Sequence, residues 1–437
     1  MVHALKILGT AGIDLLDVFA IIAFLLLGLV SIALLERSVA RSLAPRPVQR
    51  GADVPELLDA LALSIRSYVR GLLAQDAGRF LPWLASIISV ASGIVAFAAL
   101  SFGPVVHLAD LNAGLILIIG ASFLGILGGV VARGFSARDA SLPAVARNAM
   151  RVASFEAASA LALVSGIVLA GSLSVKQMVQ AQLDQGAWFF FLAPLGFAVY
   201  LLSSIAGIDS AVRSPVRAAG DPMENAPDAS RTFRWPFGSL GASLHLLIGA
   251  GLAATVFLGG WLRPFAGYHD HFAGTPIELL DALPPVTMVA ATAYCHWLST
   301  VEIDPGRKQL MKIASASCAG LFVIFAGILF APAAAIYAVH GAFWFAAKMA
   351  GYIYAFLWVR ARIPQFRFGR PIRAAWNFLI PVAAINAAAV AAALVARQRW
   401  EWSPAASTFL TTLLALLFAV WLGLHDSSES TAYRLEP

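Results

Sequence analysis

The sequence predicts an all-α fold, a polytopic bundle of about eleven membrane-spanning helices. Three observations carry that expectation. Of 437 residues, 60% are hydrophobic and 12% charged, and the mean hydropathy is +0.80, a balance foreign to a water-exposed globule. The apolar residues fall in runs of ~20, the length a helix needs to cross the hydrocarbon. The basic residues alternate in number from one inter-run segment to the next, as the positive-inside rule requires.

The runs fall near 15–35, 82–102, 113–132, 152–172, 188–208, 239–260, 283–300, 313–331, 334–359, 376–396 and 404–424. The first lacks a basic leader and a small-residue cleavage site, so it reads as an uncleaved span. The run at 283–300 is least suited to spanning, since it opens on Pro284-Pro285 and contains His296. With the N-terminus outside, the inner loops 37–79, 133–151, 213–234, 307–312 and 360–373, with Arg434, hold 24 Lys and Arg. The outer segments hold five: Lys6, Lys176, Arg263, Arg397 and Arg399. That asymmetry places the N-terminus outside and the C-terminus in the cytoplasm. It also accounts for the net charge of +6 without a nucleic-acid partner. The two cysteines, Cys295 and Cys318, form no C-x-x-C, which excludes a disulfide framework or an Fe–S cluster held by this chain alone.

Ionisable residues inside such runs are costly and point to function. Glu156 lies one to two turns inside the run 152–172 and is a proton-relay candidate; a structural pair with Arg133 or Arg151 is the alternative. Lys348 sits eleven or more residues from either end of its run, where snorkelling is difficult. A buried partner is expected for it, with a carboxylate across helices as one possibility and an ion pair between helices as the structural reading. His245, His296 and His340 have no second ligand at i+3 or i+4; hydrogen-bonded structural histidines are commoner than haem ligands. His269-Asp270-His271 is a poor metal site without a distant ligand, and Gly259-Gly260 has no phosphate-loop context.

From Phe343 to Asn386 the residue order is more particular. Lys348 is followed twelve residues later by Arg360 in Trp358-Val359-Arg360-Ala361, then by Pro364, Arg367, Trp376, Pro381 and Asn386. These offsets resemble the H subunit of NADH-quinone oxidoreductase, the membrane component of respiratory complex I at the quinone site. Glu36-Arg37 and Arg46-Pro47 match the first cytoplasmic loop of that family, although Ala44 and Val48-Gln49 depart from it. Arg147 or Arg151, with Ser154, Phe155 and Glu156, resembles the family's R-x-x-x-Q-x-x-S-Y-E. Leu201 to Gly207 resembles the run before its acidic loop. Here Asp209, Asp221, Glu224 and Asp228 keep that loop acidic while Arg217 replaces its first acid. The family's G-E-Y in the next helix is lost, leaving His245 alone ionisable between Ser243 and Gly249.

The resemblance implies a single membrane domain over 1–437. A family-like core covers 1–260 and 334–396, 261–333 brings an inserted helix pair, and 397–437 adds a C-terminal helix and tail. It also implies a quinone-binding chamber whose chemistry is linked to proton translocation in the cell inner (plasma) membrane. Glu36, Glu156, Asp209, Asp221 and Glu224 are the proton-path candidates, Arg37 and Arg46 the quinone-binding ones, and Lys348 and Arg360 structural or relay residues. Quinone is the substrate, and no cofactor is expected to bind this chain alone. The partners are the other membrane and peripheral subunits of complex I, quinone and the lipid bilayer. Three rivals remain: the membrane subunit of a related hydrogenase or formate hydrogenlyase, a non-catalytic anchor derived from the family, and a transporter, for which no paired inverted repeats are evident.

Overall fold

In the computed structural model the residues described are 80–103, 111–136, 142–212, 240–264, 279–301, 305–329, 333–362 and 371–400, with scattered positions of 21–32 and 413–420. Among them the regular structure is helical throughout, as apolar runs must be where no water is available to satisfy the backbone. In order the helices are α1 (Phe80–Ala98), α2 (Gly114–Ser136), α3 (Leu142–Ala170), α4 (Val175–Asp184), α5 (Pro194–Val212), α6 (Leu240–Phe257), α7 (Leu279–Val301), α8 (Pro305–Ile328), α9 (Ala333–Arg362) and α10 (Ile380–Trp400). Seven of these are long and apolar enough to cross a membrane, with α6 a shorter apolar helix. The chain is an all-α polytopic membrane protein. Nine of the expected runs coincide with helices; 15–35 and 404–424 are described only at scattered positions.

Two elements differ from expectation. Helix α3 starts at Leu142, ten residues before its apolar run, so Arg147 and Arg151 lie inside it. Its 29 residues place Glu156 at the midpoint, about 21 Å from either end, and not near an edge. Helix α4 falls in a stretch expected to be an outer loop. It is a short amphipathic helix that buries Val175, Met178, Val179 and Gln182. Gln182 fastens it to the bundle, donating through Nε2 to Thr255 O (2.8 Å) and accepting from Phe189 N (3.1 Å).

Small residues set the tightest packing. Gly128 of α2 lies so close to α1 that a Cβ there would come within 2.8 Å of Ala85 O. One turn away, Ser89 Oγ donates to Gly125 O at 2.7 Å. Helix α3 packs along α5 and carries α10 on its flank. Helix α6 runs through the centre, buried along most of its length by α1, α2, α5 and α9. Phe197, Tyr200, Phe257 and Tyr352 close one end of its contacts, with ring centroids 5.6–6.0 Å apart. Helices α7 and α8 form a hairpin that meets the rest chiefly through α9.

Helix α10 is entered through a turn at Pro371–Ala374 and one π-helical turn, Ala375–Leu379. Pro381 follows; it offers no N–H to the carbonyl of Asn377 and its ring crowds that carbonyl, so the widened turn absorbs the mismatch. The turn presents Trp376, whose Nε1 donates to Ser154 Oγ on α3 at 3.1 Å, two residues from Glu156.

Candidate functional site

A carboxylate halfway along a spanning helix must find a partner or lose its charge. Glu156 has one. Its Oε1 lies 3.1 Å from Nε2 of His245 on α6, with the two side chains 12% and 9% exposed. The other ring nitrogen, Nδ1, lies 2.9 Å from Ser122 Oγ on α2. Three helices thus contribute one group each to a continuous line, carboxylate, imidazole and hydroxyl. With the shared proton on the ring the pair is bonded as carboxylate to imidazole N–H; with it on Glu156 the carboxyl donates to the ring.

The pair borders a cavity of about 30 Å³ lined by polar groups from five helices, among them Ser122, Glu156, Ser159, Tyr200, Ser204, His245 and Tyr352. Tyr200 donates to Gly249 O at 3.0 Å, and its ring lies 6.0 Å from that of Tyr352. Ser159 Oγ donates to Ser203 Oγ at 2.9 Å. At ~10–15 Å³ per water centre the space accommodates about two waters. It is an order of magnitude below the ~300 Å³ of a small-molecule site. A space of that size admits water and is too small for a quinone ring.

Asp209 and Arg360, expected separately, form an ion pair: Arg360 Nε donates to Asp209 Oδ1 at 2.7 Å, at the C-terminal ends of α5 and α9. Lys348 has the buried partner expected of it, of a different kind from the carboxylate considered. Its partner is backbone and not a carboxylate: Nζ donates to Gly260 O at 3.0 Å and to Leu262 O. It also lies 4.5 Å from the centre of the Trp188 ring. Those carbonyls belong to the turn that ends α6, in which Gly259 and Gly260 have φ of +75° and +52°. Gly260 N closes that turn on Ala254 O at 2.8 Å. A helix C-terminus carries partial negative charge, so an ammonium is electrostatically at home there.

Glu36, Arg37, Arg46, Asp221 and Glu224 lie outside the described residues, as does His269-Asp270-His271. Sequence reasoning places His245 among the structural histidines and does not single out Ser122, Tyr200 or Tyr352. The one available signal is that His245 is alone ionisable in its run, on the helix where the resemblance expects an acid. Among the described residues no group of three His, Cys, Asp or Glu converges as a metal site.

With the site in view, comparison with known proteins places the chain. It matches the NADH dehydrogenase family over residues 16–391. It is 30% identical over 360 residues to the second NADH-quinone oxidoreductase H subunit of Solibacter usitatus (strain Ellin6076), covering 80% of this chain and 88% of that protein. It is 28% identical over 405 residues to the first NADH-quinone oxidoreductase H subunit of Koribacter versatilis (strain Ellin345), covering 86% and 92%. Among solved structures, a chain of the membrane-bound sulfane sulfur reductase, an archaeal respiratory membrane complex, shares the fold. That match has a TM-score of 0.52 at 17% identity, over 87% of this chain and 99% of the other. The carboxylate-bearing helix, the motif running from Lys348 to Asn386 and the helical architecture have one explanation: the chain belongs to the NADH dehydrogenase family, among the H subunits of NADH-quinone oxidoreductase.

Proposed function

We propose that this chain is the membrane subunit of an NADH-quinone oxidoreductase, contributing to the quinone-binding chamber and linking quinone reduction to proton translocation, with Glu156 as a proton-carrying group. The observation that carries this reading is the Glu156–His245 pair beside a water-sized polar cavity at mid-helix depth. Reducing a quinone to a quinol consumes two protons, so a carboxylate reached by water inside the bundle has chemical work to do. The cavity's size supports a place for it on the proton side of that work. The quinone is held elsewhere, and Arg37 and Arg46 with Glu36, Asp221 and Glu224 are the residues proposed for its surroundings. The Asp209–Arg360 pair stands at the bundle end that leads into the same loops. The chain carries no nicotinamide, flavin or cluster-binding motif, so electrons are delivered by peripheral subunits docked on the arginine-bearing loops. The N-terminus is proposed to lie outside the inner membrane.

Glu156→Gln tests the reading, because it keeps shape and hydrogen bonding while removing the titrating group. In the assembled complex we expect normal insertion and subunit content, with quinone-linked proton translocation reduced by at least about tenfold. Glu156→Asp should be partly active. A Gln variant that assembles and translocates protons at the wild-type rate makes Glu156 structural and the chain a membrane anchor.

A further inference from the structure

We infer that His245 is a second proton-carrying group of this site, passing a proton between Ser122 on α2 and Glu156 on α3. The inference rests on the reading of Glu156 given above. The geometry is that of a shuttle: each ring nitrogen faces an oxygen, Nε2 at 3.1 Å from Glu156 Oε1 and Nδ1 at 2.9 Å from Ser122 Oγ. An imidazole exchanges a proton on one nitrogen for a proton on the other without moving far, and it does so near neutral pH more readily than any other side chain. The two partners are chemically unequal, and that inequality sets the states. An ionised carboxylate only accepts, whereas a hydroxyl donates or accepts.

In the starting state Nε2–H donates to the Glu156 carboxylate and Nδ1 accepts from the Ser122 hydroxyl. A proton arriving from the cavity water at Ser122 binds Nδ1, and the ring becomes imidazolium. The Nε2 proton then passes to Glu156, the carboxylate becomes a carboxyl, and the ring is left neutral as the Nδ1–H tautomer donating to Ser122. One proton has entered and one carboxylate has been neutralised; the count closes without any other reactant. Return to the starting tautomer needs the carboxyl to release its proton onward and the ring to exchange once with cavity water. Among the described residues, the titratable groups lining the same cavity are Glu156 from α3, Tyr200 from α5 and Tyr352 from α9, and no Lys, Arg or Asp lines it. The ring is buried, and it is the only ionisable side chain of its helix. Gln182 and Lys348, also buried and polar, bond to backbone. His245 instead joins two side chains.

The experiment compares His245→Gln with Glu156→Gln in the assembled complex, in proteoliposomes that report quinone turnover and proton translocation together. Glutamine keeps a donor for Glu156 and a polar contact for Ser122 but holds no extra proton, so it rescues a structural histidine and fails as a relay. We expect at least a tenfold fall in proton translocation, normal assembly, and no further loss when both substitutions are combined. A wild-type rate in His245→Gln beside a slow Glu156→Gln overturns the relay and leaves the proposed function standing. Wild-type rates in both overturn the two together, and losses that multiply in the double variant overturn the shared path. Where His245→Gln does not assemble, Ser122→Ala decides: a fall of about threefold or more supports the relay and an unchanged rate overturns it.

Discussion

Glu156 and Lys348 look alike in the sequence and behave differently in the fold. Each is a lone charge near the midpoint of a long helix, of 29 residues in α3 and 30 in α9. Glu156 meets another titratable side chain beside a polar cavity. Lys348 meets two carbonyls and an indole at the turn that ends α6. The first arrangement has two proton positions of comparable chemistry. The second has one, since a carbonyl never takes the ammonium proton. A buried charge is therefore a functional signal only once its partner is known, because the partner determines whether the proton has a second place to go.

Substitutions sharpen the contrast. The largest expected effect on stability comes from Lys348→Met, which keeps much of the length and leaves the carbonyls of Gly260 and Leu262 without their donor. At ~1–3 kcal/mol for each stranded group the loss is about 2–6 kcal/mol. It should be read as a lowered unfolding temperature of the purified protein, while quinone turnover per assembled complex stays close to wild type. Glu156→Gln should show the reverse pattern, with turnover lost and unfolding temperature kept. If Lys348→Met abolishes turnover at unchanged stability, the two sites are not distinguished as argued. Next comes Gly259→Ala. It forces a side chain into φ of +75° and brings its Cβ to 2.8 Å from the Trp188 ring, at a cost of about 1–3 kcal/mol. Thermal unfolding followed by tryptophan fluorescence should move to lower temperature; an unaltered transition would show that the turn gives way. The smallest effect belongs to Asp209→Asn. The pair with Arg360 is about one-fifth exposed on each side, so screening limits its removal to about 0.5–1 kcal/mol. Turnover should fall less than about threefold, and a loss as deep as that of Glu156→Gln would move Asp209 into the proton path itself.

The spans were legible because hydropathy over ~20 residues is a strong signal. The start of α3 was not, since Arg147 and Arg151 interrupt the apolar run that hydropathy follows. Helix α4 escaped because Lys176, Gln177, Gln180 and Gln182 make it read as an exposed loop, whereas Gln182 is buried and bonded to backbone. The π turn ahead of Pro381 was not legible either, because hydropathy does not register how a helix accommodates a proline. At the site, Glu156 was legible as the lone acid of its run. His245 was not, because it stands 89 residues away and only packing makes the two neighbours. Lys348 was visible as a buried cation, and its partners were invisible for a different reason: any residue type supplies a carbonyl, so no pattern of side chains encodes one.

The ammonium at the end of α6 has an effect beyond its own hydrogen bonds. Lys348 sits one turn along α9 from Tyr352, a wall of the polar cavity, on the side away from Arg360. Four residues of helix separate the two by about 6 Å of rise, so the end of α6 and a wall of the cavity are tied to one stretch of α9. The side chain that satisfies the backbone where α6 ends thereby also holds Tyr352 in register with the helix that carries His245.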